Sequence, residues 1–329
     1  MSPSVLVTGG AGFIGSHLVD RLVTEGHDVT VLDDLSTGSS DNLAAHEGNA
    51  KMRLVRGSVL NDALVDQLVS ANALVYHLAA AVGVRKIVED PLASLLTNVN
   101  GTEKVLATAN RYGARVLLAS TSEVYGRADQ VPFREDGLRV LGPTSVHRWS
   151  YATAKALDEH LAFAYLDRGL KVSIVRYFNS YGARIRQSGY GSVIARFAWQ
   201  ALTGRPITVH GDGNQTRCFT YVSDTVEGTV RAGTNSDAIG SVFNIGSSDE
   251  VRIRDLAEQV RSILGSRSEI RLEPYETDYP KGFEDTRRRV PDVTRAREVL
   301  GFEARVKLAD GLARTLEWCR QNYNVGVRS

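Results

Sequence analysis

Short apolar runs alternate with segments of helical periodicity through the first 180 residues. In those segments, apolar positions recur every three or four residues, which is the spacing of one helix face. Strands that alternate with helices form right-handed crossover units, with helices on both faces of a parallel sheet. The pattern therefore predicts an α/β fold with a doubly wound parallel sheet. The predicted strands cover 5–8, 28–32, 52–55, 73–77, 116–119 and 172–175, and the predicted helices cover 13–25, 63–70, 92–112 and 151–166.

The pattern changes after about residue 180, where the loops become longer and richer in Gly, Pro and Arg. We predict one domain over 1–180 and a smaller C-terminal α/β domain over 181–329, which lies over the carboxyl edge of the sheet. No Gly/Ser linker separates the two parts, so we expect them to pack closely. The second part is predicted to contain strands at 207–209, 218–221 and 242–245 and helices at 193–202, 253–264 and 308–321.

Composition and charge exclude several classes of protein. Hydrophobic residues make up 43% and charged residues 23% of the 329 residues, which is ordinary globular composition. The net charge of +1 gives no reason to expect a nucleic-acid partner. No apolar run reaches the ~20 residues of a membrane span, and the first residues do not resemble a signal peptide. The widely spaced Cys218 and Cys319 favour reduced thiols and a cytoplasmic location, and no metal site is predicted.

Three glycines, Gly9, Gly12 and Gly15, stand three residues apart between the first predicted strand and the first predicted helix. Glycine permits a tight turn and lets the backbone approach a pyrophosphate, and the N-terminus of the helix attracts the phosphate charge. The loop therefore predicts a dinucleotide site.

An acidic residue, Asp33, follows the second predicted strand. A carboxylate at this position accepts hydrogen bonds from a ribose diol and repels a 2′-phosphate. Because residues 34–50 contain no Arg or Lys, we predict NAD rather than NADP as the cofactor. The neighbouring Asp34 either shares this role or is simply solvated.

Tyr151 and Lys155 are four residues apart at the start of a predicted helix, so both face one way. A free Tyr, with a pKa of about 10, is a poor base at neutral pH. A nearby ammonium and the positive charge of an oxidised nicotinamide favour the phenolate. We therefore predict that Tyr151 takes a proton from a sugar hydroxyl whose carbon gives hydride to NAD, and that Lys155 also holds the nicotinamide ribose.

Two hydroxyls and a carboxylate, Thr121, Ser122 and Glu123, follow the fifth predicted strand, and ligands bind at the carboxyl ends of such strands. We assign Thr121 to share the substrate proton with Tyr151. Loop capping is the alternative for either hydroxyl. An enzyme that works beside a new ketone must move a second proton, which Glu123 can do. The alternative for Glu123 is a structural pair with an arginine.

The G-x-x-G-x-x-G spacing at 9–15 resembles the extended short-chain dehydrogenase/reductase superfamily, which has a Rossmann sheet. HLAA at 77–80 and NVNGT at 98–102 fit the same pattern. The resemblance implies a homodimer that pairs helices 92–112 and 151–166 in a four-helix bundle, although their apolar stripe also suits the core of a monomer. It extends the cofactor contacts to Phe13, Ile14, Ser58, Leu78, Ala79, Ala80 and Asn98, although the family's usual Asp is absent around Ser58.

Segments along nearly the whole chain resemble the nucleotide-sugar epimerases and dehydratases, and most closely the UDP-glucuronate decarboxylases of the UDP-xylose synthase type. These segments are STSEVYG at 120–126, LGPTSVHRWSYATAK at 141–155, YFNSYG at 177–182, QTRCFT at 215–220 and GFEDTRRRVPD at 282–292. The resemblance implies a UDP-sugar substrate and a reaction centre of Thr121, Ser122, Glu123, Tyr151, Lys155 and Arg289. It implies substrate contacts at Arg85, Asn179, Val193, Thr208, His210, Arg217 and Arg289.

In the reaction that this resemblance implies, the sugar is oxidised at C4, loses C6 as carbon dioxide and is reduced again to UDP-xylose, or leaves as the 4-keto pentose. Arg289 meets the glucuronate carboxylate or donates a proton at C5, and the run Arg287 to Arg289 leaves open which arginine does so. The alternatives are a 4-epimerase of UDP-glucuronate or UDP-glucose, in which Glu123 is a bystander, and a 4,6-dehydratase. A NAD-binding regulatory protein is a further alternative, but such relatives usually lack the Tyr or the Lys.

Overall fold

The computed structural model describes residues 4–81, 90–186, 192–277 and 285–323. The strands are β1 Val5–Thr8, β2 Val29–Asp33, β3 Met52–Arg56, β4 Leu74–His77, β5 Arg115–Thr121, β6 Val172–Tyr177, β7 Ser180–Tyr181, β8 Ile207–His210, β9 Thr216–Cys218, β10 Thr220–Tyr221, β11 Val242–Ile245, β12 Glu250–Arg252, β13 Ile270–Glu273 and β14 Arg288–Arg289. The α-helices are α1 Phe13–Thr24, α2 Asp62–Ser70, α3 Pro91–Tyr112, α4 Ser150–Leu166, α5 Val193–Leu202, α6 Val222–Thr234, α7 Ile253–Leu264, α8 Thr294–Leu300 and α9 Leu308–Asn322.

Seven strands form the central sheet in the order β11-β6-β5-β4-β1-β2-β3. Every neighbouring pair in it is parallel. Strands β1, β4 and β11 are buried along their whole length, as expected where helices cover both faces of a parallel sheet. The predicted α/β fold with a doubly wound sheet is confirmed.

One strand and one helix of this layer come from the second half of the chain. Strand β11 pairs with β6 at the edge of the sheet, and α6 packs on α1, β5 and β6. We predicted 242–245 within the smaller domain, which was wrong, because a short apolar run does not reveal which sheet it joins. Helix α6 was not predicted, because its β-branched residues and glycines have low helix propensity and burial against the sheet stabilises it. The division at residue 180 stays a prediction, since the chain returns to the sheet beyond it.

The rest of the second half forms three small sheets, β12-β9-β14, β13-β8 and β10-β7. The segment 218–221, predicted as one strand, changes sheet at Phe219 and so contributes to both β9 and β10. Helices α5, α7 and α9 enclose a separate apolar core that includes Ile194, Phe197, Leu256, Val260, Leu312 and Leu316.

The carboxyl ends of β1, β4, β5 and β6 all lie at one edge of the central sheet, because these strands are parallel neighbours. The glycine loop follows β1, the HLAA segment begins at the end of β4, and the hydroxyl cluster follows β5. The fold therefore brings the candidate residues to one place, where ligands bind in such sheets. Among the helices that the structure describes, none has the length and apolar character needed to cross a bilayer.

Candidate active site

A cavity of about 570 Å³ lies at this edge of the sheet. Its walls come from the glycine loop, the ends of β2, β4, β5 and β6, the start of α4, and residues 184–186 and Arg289 of the second half. The described residues contain no group of three or more His, Cys, Asp or Glu placed to hold a metal ion. The candidate residues that line the cavity are Gly9, Gly12, Phe13, Ile14, Gly15, Asp33, Ser58, Leu78, Ala79, Ala80, Thr121, Ser122, Glu123, Tyr151, Lys155, Asn179 and Arg289.

The glycine loop is a tight turn that presses against the start of α1. Gly9 has a left-handed φ of +72°, and the Gly12 N–H donates to the Gly9 carbonyl at 3.1 Å. A Cβ on Gly15 would lie 2.2 Å from that same carbonyl oxygen. Only glycine therefore lets α1 start this close to the turn. The loop presents backbone, and the positive end of the helix, to the cavity.

The Asp33 carboxylate is anchored at the end of β2. It accepts hydrogen bonds from the Ala11 N–H at 2.9 Å and from the Leu35 N–H at 2.8 Å. Burial raises the pKa of Asp33, and these two bonds oppose that rise. Each oxygen keeps a lone pair for a further donor, such as a ribose hydroxyl.

An arginine from the second half lies close to this carboxylate. Arg186 lines the cavity, donates to the Gly38 carbonyl at 3.1 Å and acts to lower the pKa of Asp33. The sequence reasoning on NAD and NADP considered residues 34–50 alone, and Arg186 lies far from them in sequence. The adenosine end of the cavity therefore contains a positive charge that the sequence pattern did not reveal.

Tyr151 and Lys155 both border the cavity from the first turns of α4, as predicted. The Lys155 ammonium is buried and lies 3.0 Å from the Asp158 carboxylate, which is also buried. Burial raises the pKa of the Tyr151 phenol, and the Glu123 and Asp158 carboxylates act in the same direction. The sequence reasoning expected Lys155 to favour the phenolate and did not consider Asp158. Within the protein, these carboxylates therefore oppose the effect that we expected.

The residues after β5 form one turn of 3₁₀ helix over Ser122–Tyr125. The Thr121 hydroxyl oxygen accepts the Glu123 N–H at 3.2 Å, so Thr121 caps this turn while its own hydrogen remains available to another acceptor. Beside it, the Ser120 hydroxyl donates to Glu159 of α4 at 2.5 Å. The turn is thereby held against the helix that carries Tyr151.

Arg289 is the arginine of the 287–289 run that faces the cavity. Its guanidinium donates to Glu123 Oε1 at 2.5 Å, and both side chains are largely buried. Arg288 pairs with Glu250 on the surface, and Arg287 is exposed. Glu123 therefore forms the pair with an arginine that was the alternative to a role in proton transfer. Both side chains of this pair line the cavity.

Two candidate residues lie just outside the cavity lining. The Asn98 side chain accepts the Ala81 N–H at 2.6 Å and donates to the Ala81 carbonyl at 3.3 Å. Asn98 therefore holds the segment that follows β4 and does not itself face the cavity. Val193 begins α5, and the preceding Ser192 lines the cavity in its place.

Three further candidates form a second group behind Arg289. The Arg217 guanidinium donates to Asp285 at 2.6 Å, and the Tyr275 hydroxyl donates to the other oxygen of the same carboxylate at 2.9 Å. The His210 ring stacks on Tyr275 with 5.7 Å between the ring centroids. The Thr208 hydroxyl accepts a bond from Gln200. None of Thr208, His210 and Arg217 is among the described residues that line the cavity, and Arg85 lies outside the described residues.

The wall contributed by residues 179–186 offers groups for a ligand. Asn179 has a left-handed φ of +35°, and among the described residues its buried Nδ2 has no hydrogen-bond partner. A buried donor without a partner at a cavity wall is suited to an oxygen of a ligand. Sequence reasoning missed Arg184 and Arg186, although two arginines directly after YFNSYG were a visible signal.

A doubly wound parallel sheet, a glycine loop at its first turn and a Tyr–Lys pair at the same edge define an extended short-chain dehydrogenase/reductase. Within that class, the chain belongs to the GDP-mannose 4,6 dehydratase family, which matches residues 6–315. This confirms the resemblance seen in the sequence.

Individual relatives agree with this placement. The chain is 43% identical over 324 residues to UDP-N-acetyl-alpha-D-glucosaminuronate decarboxylase of Bacillus cytotoxicus, covering 98% of this chain and 100% of that protein. It is 39% identical to UDP-glucuronic acid decarboxylase 1 of Danio rerio, over 95% of this chain and 72% of that protein. The structure of UDP-glucuronic acid 4-epimerase from Bacillus cereus, in complex with UDP-glucuronic acid and NAD, superimposes with a TM-score of 0.87 at 30% identity, over 97% of this chain and 100% of that one.

Proposed function

We propose that this protein is a NAD-dependent decarboxylase of UDP-hexuronic acids, with UDP-glucuronate as the first substrate to test. The observation that carries the proposal is the pair Glu123–Arg289 in the same cavity wall as Tyr151. A base for sugar oxidation and a cation for a carboxylate are thereby brought to one place. The curated relatives that are named decarboxylases support this assignment.

The residues around the cavity fit a dinucleotide. The turn has no room for a Cβ at Gly9 or Gly15 and exposes backbone for a pyrophosphate, and Asp33 keeps acceptors for a ribose diol. When bound, NAD supplies the hydride acceptor that turns the C4 alcohol into a ketone and the donor that reverses this change. Lys155 holds the neighbouring ribose.

Tyr151 acts as the base at the C4 hydroxyl. Its phenolate is disfavoured by burial and by two carboxylates, so the phenol loses its proton only when positive charge is placed beside it. Thr121 donates its hydroxyl hydrogen to the same substrate oxygen. This arrangement links the ionisation of Tyr151 to a filled site.

Decarboxylation follows from the C4 ketone. The ketone makes the C6 carboxylate a β-keto acid, so the C5–C6 bond breaks, carbon dioxide leaves and the electron pair moves onto the C4 oxygen. Hydrogen bonds from Thr121 and Tyr151 stabilise that oxygen. Arg289 holds the carboxylate before it leaves, and Glu123, with Arg289, takes part in the protonation of C5.

The second candidate is a UDP-sugar 4-epimerase, because a solved structure similar to this chain is a UDP-glucuronic acid 4-epimerase. In that reaction the ketone would turn and be reduced on its other face, and the carboxylate would be kept. Glu123 would then only pair with Arg289.

The test is to mix the purified protein with NAD and either UDP-glucuronate or the 2-acetamido analogue, UDP-N-acetylglucosaminuronate. We expect release of carbon dioxide and a UDP-pentose or its 4-keto form, and comparison of the two substrates shows which group at C2 is accepted. A UDP-galacturonate product of unchanged mass from UDP-glucuronate would instead establish the epimerase.

We also propose a cytoplasmic homodimer. Leu92 and Leu96 of α3 and Leu157 of α4 are exposed, and these two helices pack against each other. Pairing with the same helices of a second copy buries the three leucines in a four-helix bundle. Cys218 and Cys319 are buried and form no disulfide, which suits a reducing compartment. Light scattering should give the mass of a dimer, and replacing Leu96 and Leu157 by Lys should give a monomer.

A further inference from the structure

Asp158 lies three residues after Lys155 on α4 and is completely buried. Its Oδ2 lies 3.0 Å from the Lys155 ammonium, which is 3% exposed. Burying a carboxylate costs free energy unless it is paired and hydrogen-bonded, so a buried Asp at this position suggests a functional role. Asp158 does not line the cavity, and no step of the proposed reaction uses it.

Lys155 is the side chain that bonds to Asp158 among the described residues. Asp158 Oδ2 accepts from the Lys155 ammonium, and the other oxygen, Oδ1, is buried and has no hydrogen-bond partner among those residues. The nearby Thr102 side chain of α3 acts to lower the pKa of Asp158. Thr102 itself bonds to His77 Nε2 at 3.1 Å. The carboxylate is therefore held in place by its pair with Lys155.

We propose that Asp158 is a positioning residue for the reaction: its carboxylate holds Lys155 at the cavity wall that Lys155 shares with Tyr151. This role rests on the proposed function. Other charged groups face this centre as well. Glu123, paired with Arg289, acts on Tyr151 from the same cavity wall, and Glu159, paired with Arg176, lies beside Asp158.

The first test needs no turnover. If Asp158 positions Lys155, which holds the cofactor ribose, Asp158→Asn should weaken NAD binding by about tenfold. Asp167→Asn, on the exposed end of the same helix, should bind NAD as the wild type does. Full NAD affinity in a folded Asp158→Asn protein would overturn the positioning role.

The second test is the pH profile of turnover. Asp158→Asn removes a negative charge that disfavours the Tyr151 phenolate, so the acidic limb of kcat should move to lower pH by about one unit. Misplacement of Lys155 should lower kcat by about tenfold to hundredfold. Asp167→Asn should change neither the acidic limb nor kcat. An unchanged profile and kcat in a folded Asp158→Asn protein would show that Asp158 does not position Lys155.

The two proposals fail in different ways. If the wild-type protein turns over no UDP-sugar, the proposed function fails while NAD binding by Asp158→Asn still tests the position of Lys155. If Asp158→Asn does not fold, Asp158→Glu, which keeps the charge and displaces it by one methylene, replaces it: loss of NAD affinity supports the positioning role, and full affinity overturns it.

Discussion

On the glycine-loop wall of the cavity, residues 9–15 with Asp33, a ligand meets backbone and one anchored carboxylate. On the reaction-centre wall, residues 121–123 with Tyr151, Lys155 and Arg289, it meets charged side chains that are already paired. The first wall is built from neighbours in sequence, apart from Asp33. The second joins Glu123 to Arg289 across 166 residues. Recognition through backbone can thus be encoded locally, whereas a paired charge needs two distant segments to meet.

The two walls should also differ in the kind of substitution that affects ligand binding or turnover most. The backbone of residues 9–15 does not titrate, so this part of the glycine-loop wall depends on space, and Asp33 adds a carboxylate charge to it. The reaction-centre wall depends on the balance of charges, since Lys155 faces Asp158 and Glu123 faces Arg289. Changes of shape should therefore affect the first wall most, and changes of charge or proton affinity the second.

The largest effect is expected from Tyr151→Phe, which removes one hydroxyl from the reaction-centre wall. Turnover of the UDP-hexuronate should fall by about 10²–10⁴, because the base for the C4 hydroxyl is lost. The affinity for NAD should stay within a few-fold of the wild type, since the glycine-loop wall is intact. Turnover assays and a NAD titration check both halves. Turnover close to wild type would mean that another group is the base.

The next effect is expected from Gly15→Ala, a change of shape only. The new Cβ would lie 2.2 Å from the Gly9 carbonyl oxygen, so the turn must shift, and NAD affinity should fall by up to about a hundredfold. Gly12→Ala is the matched control for packing, because its Cβ meets only that carbonyl at 3.1 Å. A loss of affinity in Gly12→Ala without a loss of thermal stability would show that the dinucleotide itself approaches Gly12. Full NAD affinity in Gly15→Ala would contradict the space argument.

A smaller effect concerns His77, which is buried at the end of β4. Burial and the charge of Lys155 lower its pKa from 6.5 to about 3. As the pH falls below 6.5, the unfolded chain binds a proton that the native state does not, so native stability present above pH 6.5 is lost. At pH 5 this should cost about 2 kcal/mol of the free energy of unfolding. Denaturant unfolding above pH 6.5 and at pH 5 checks this. The His77→Gln variant should lose this part of the pH dependence of stability, and a variant at the exposed His147, His147→Gln, should keep it.

The smallest effect concerns Asp33. Burial raises the pKa of its carboxyl in the folded protein, and a ribose diol needs the ionised form as acceptor. NAD affinity should therefore weaken as the pH falls through this raised pKa, by about tenfold when the carboxyl is protonated. Asp33→Asn should bind NAD weakly at every pH. A wild-type affinity that does not change with pH would show that Asp33 is not the ribose acceptor.

Much of the fold and part of the site could be predicted from the sequence. The three glycines, the Asp at the end of β2 and the Tyr–Lys pair are local sequence patterns, and the residues of each pattern line the cavity. Asp158 was visible three residues after Lys155, but acidic residues at that spacing are common on helix surfaces. Its importance depends on its complete burial beside Lys155. Likewise, Arg217 and His210 were assigned to the substrate, and the structure places both among other side chains behind the cavity lining.

The sequence by itself determined the alternation of strands and helices, the dinucleotide turn and the pair Tyr151–Lys155, because each depends on residues within a few positions of one another. Only the tertiary structure decided that β11 completes the sheet, which arginine of three meets Glu123, and that Asp158 neutralises Lys155. Those outcomes depend on contacts between distant segments and on burial, and burial sets the strength of every charge in the site.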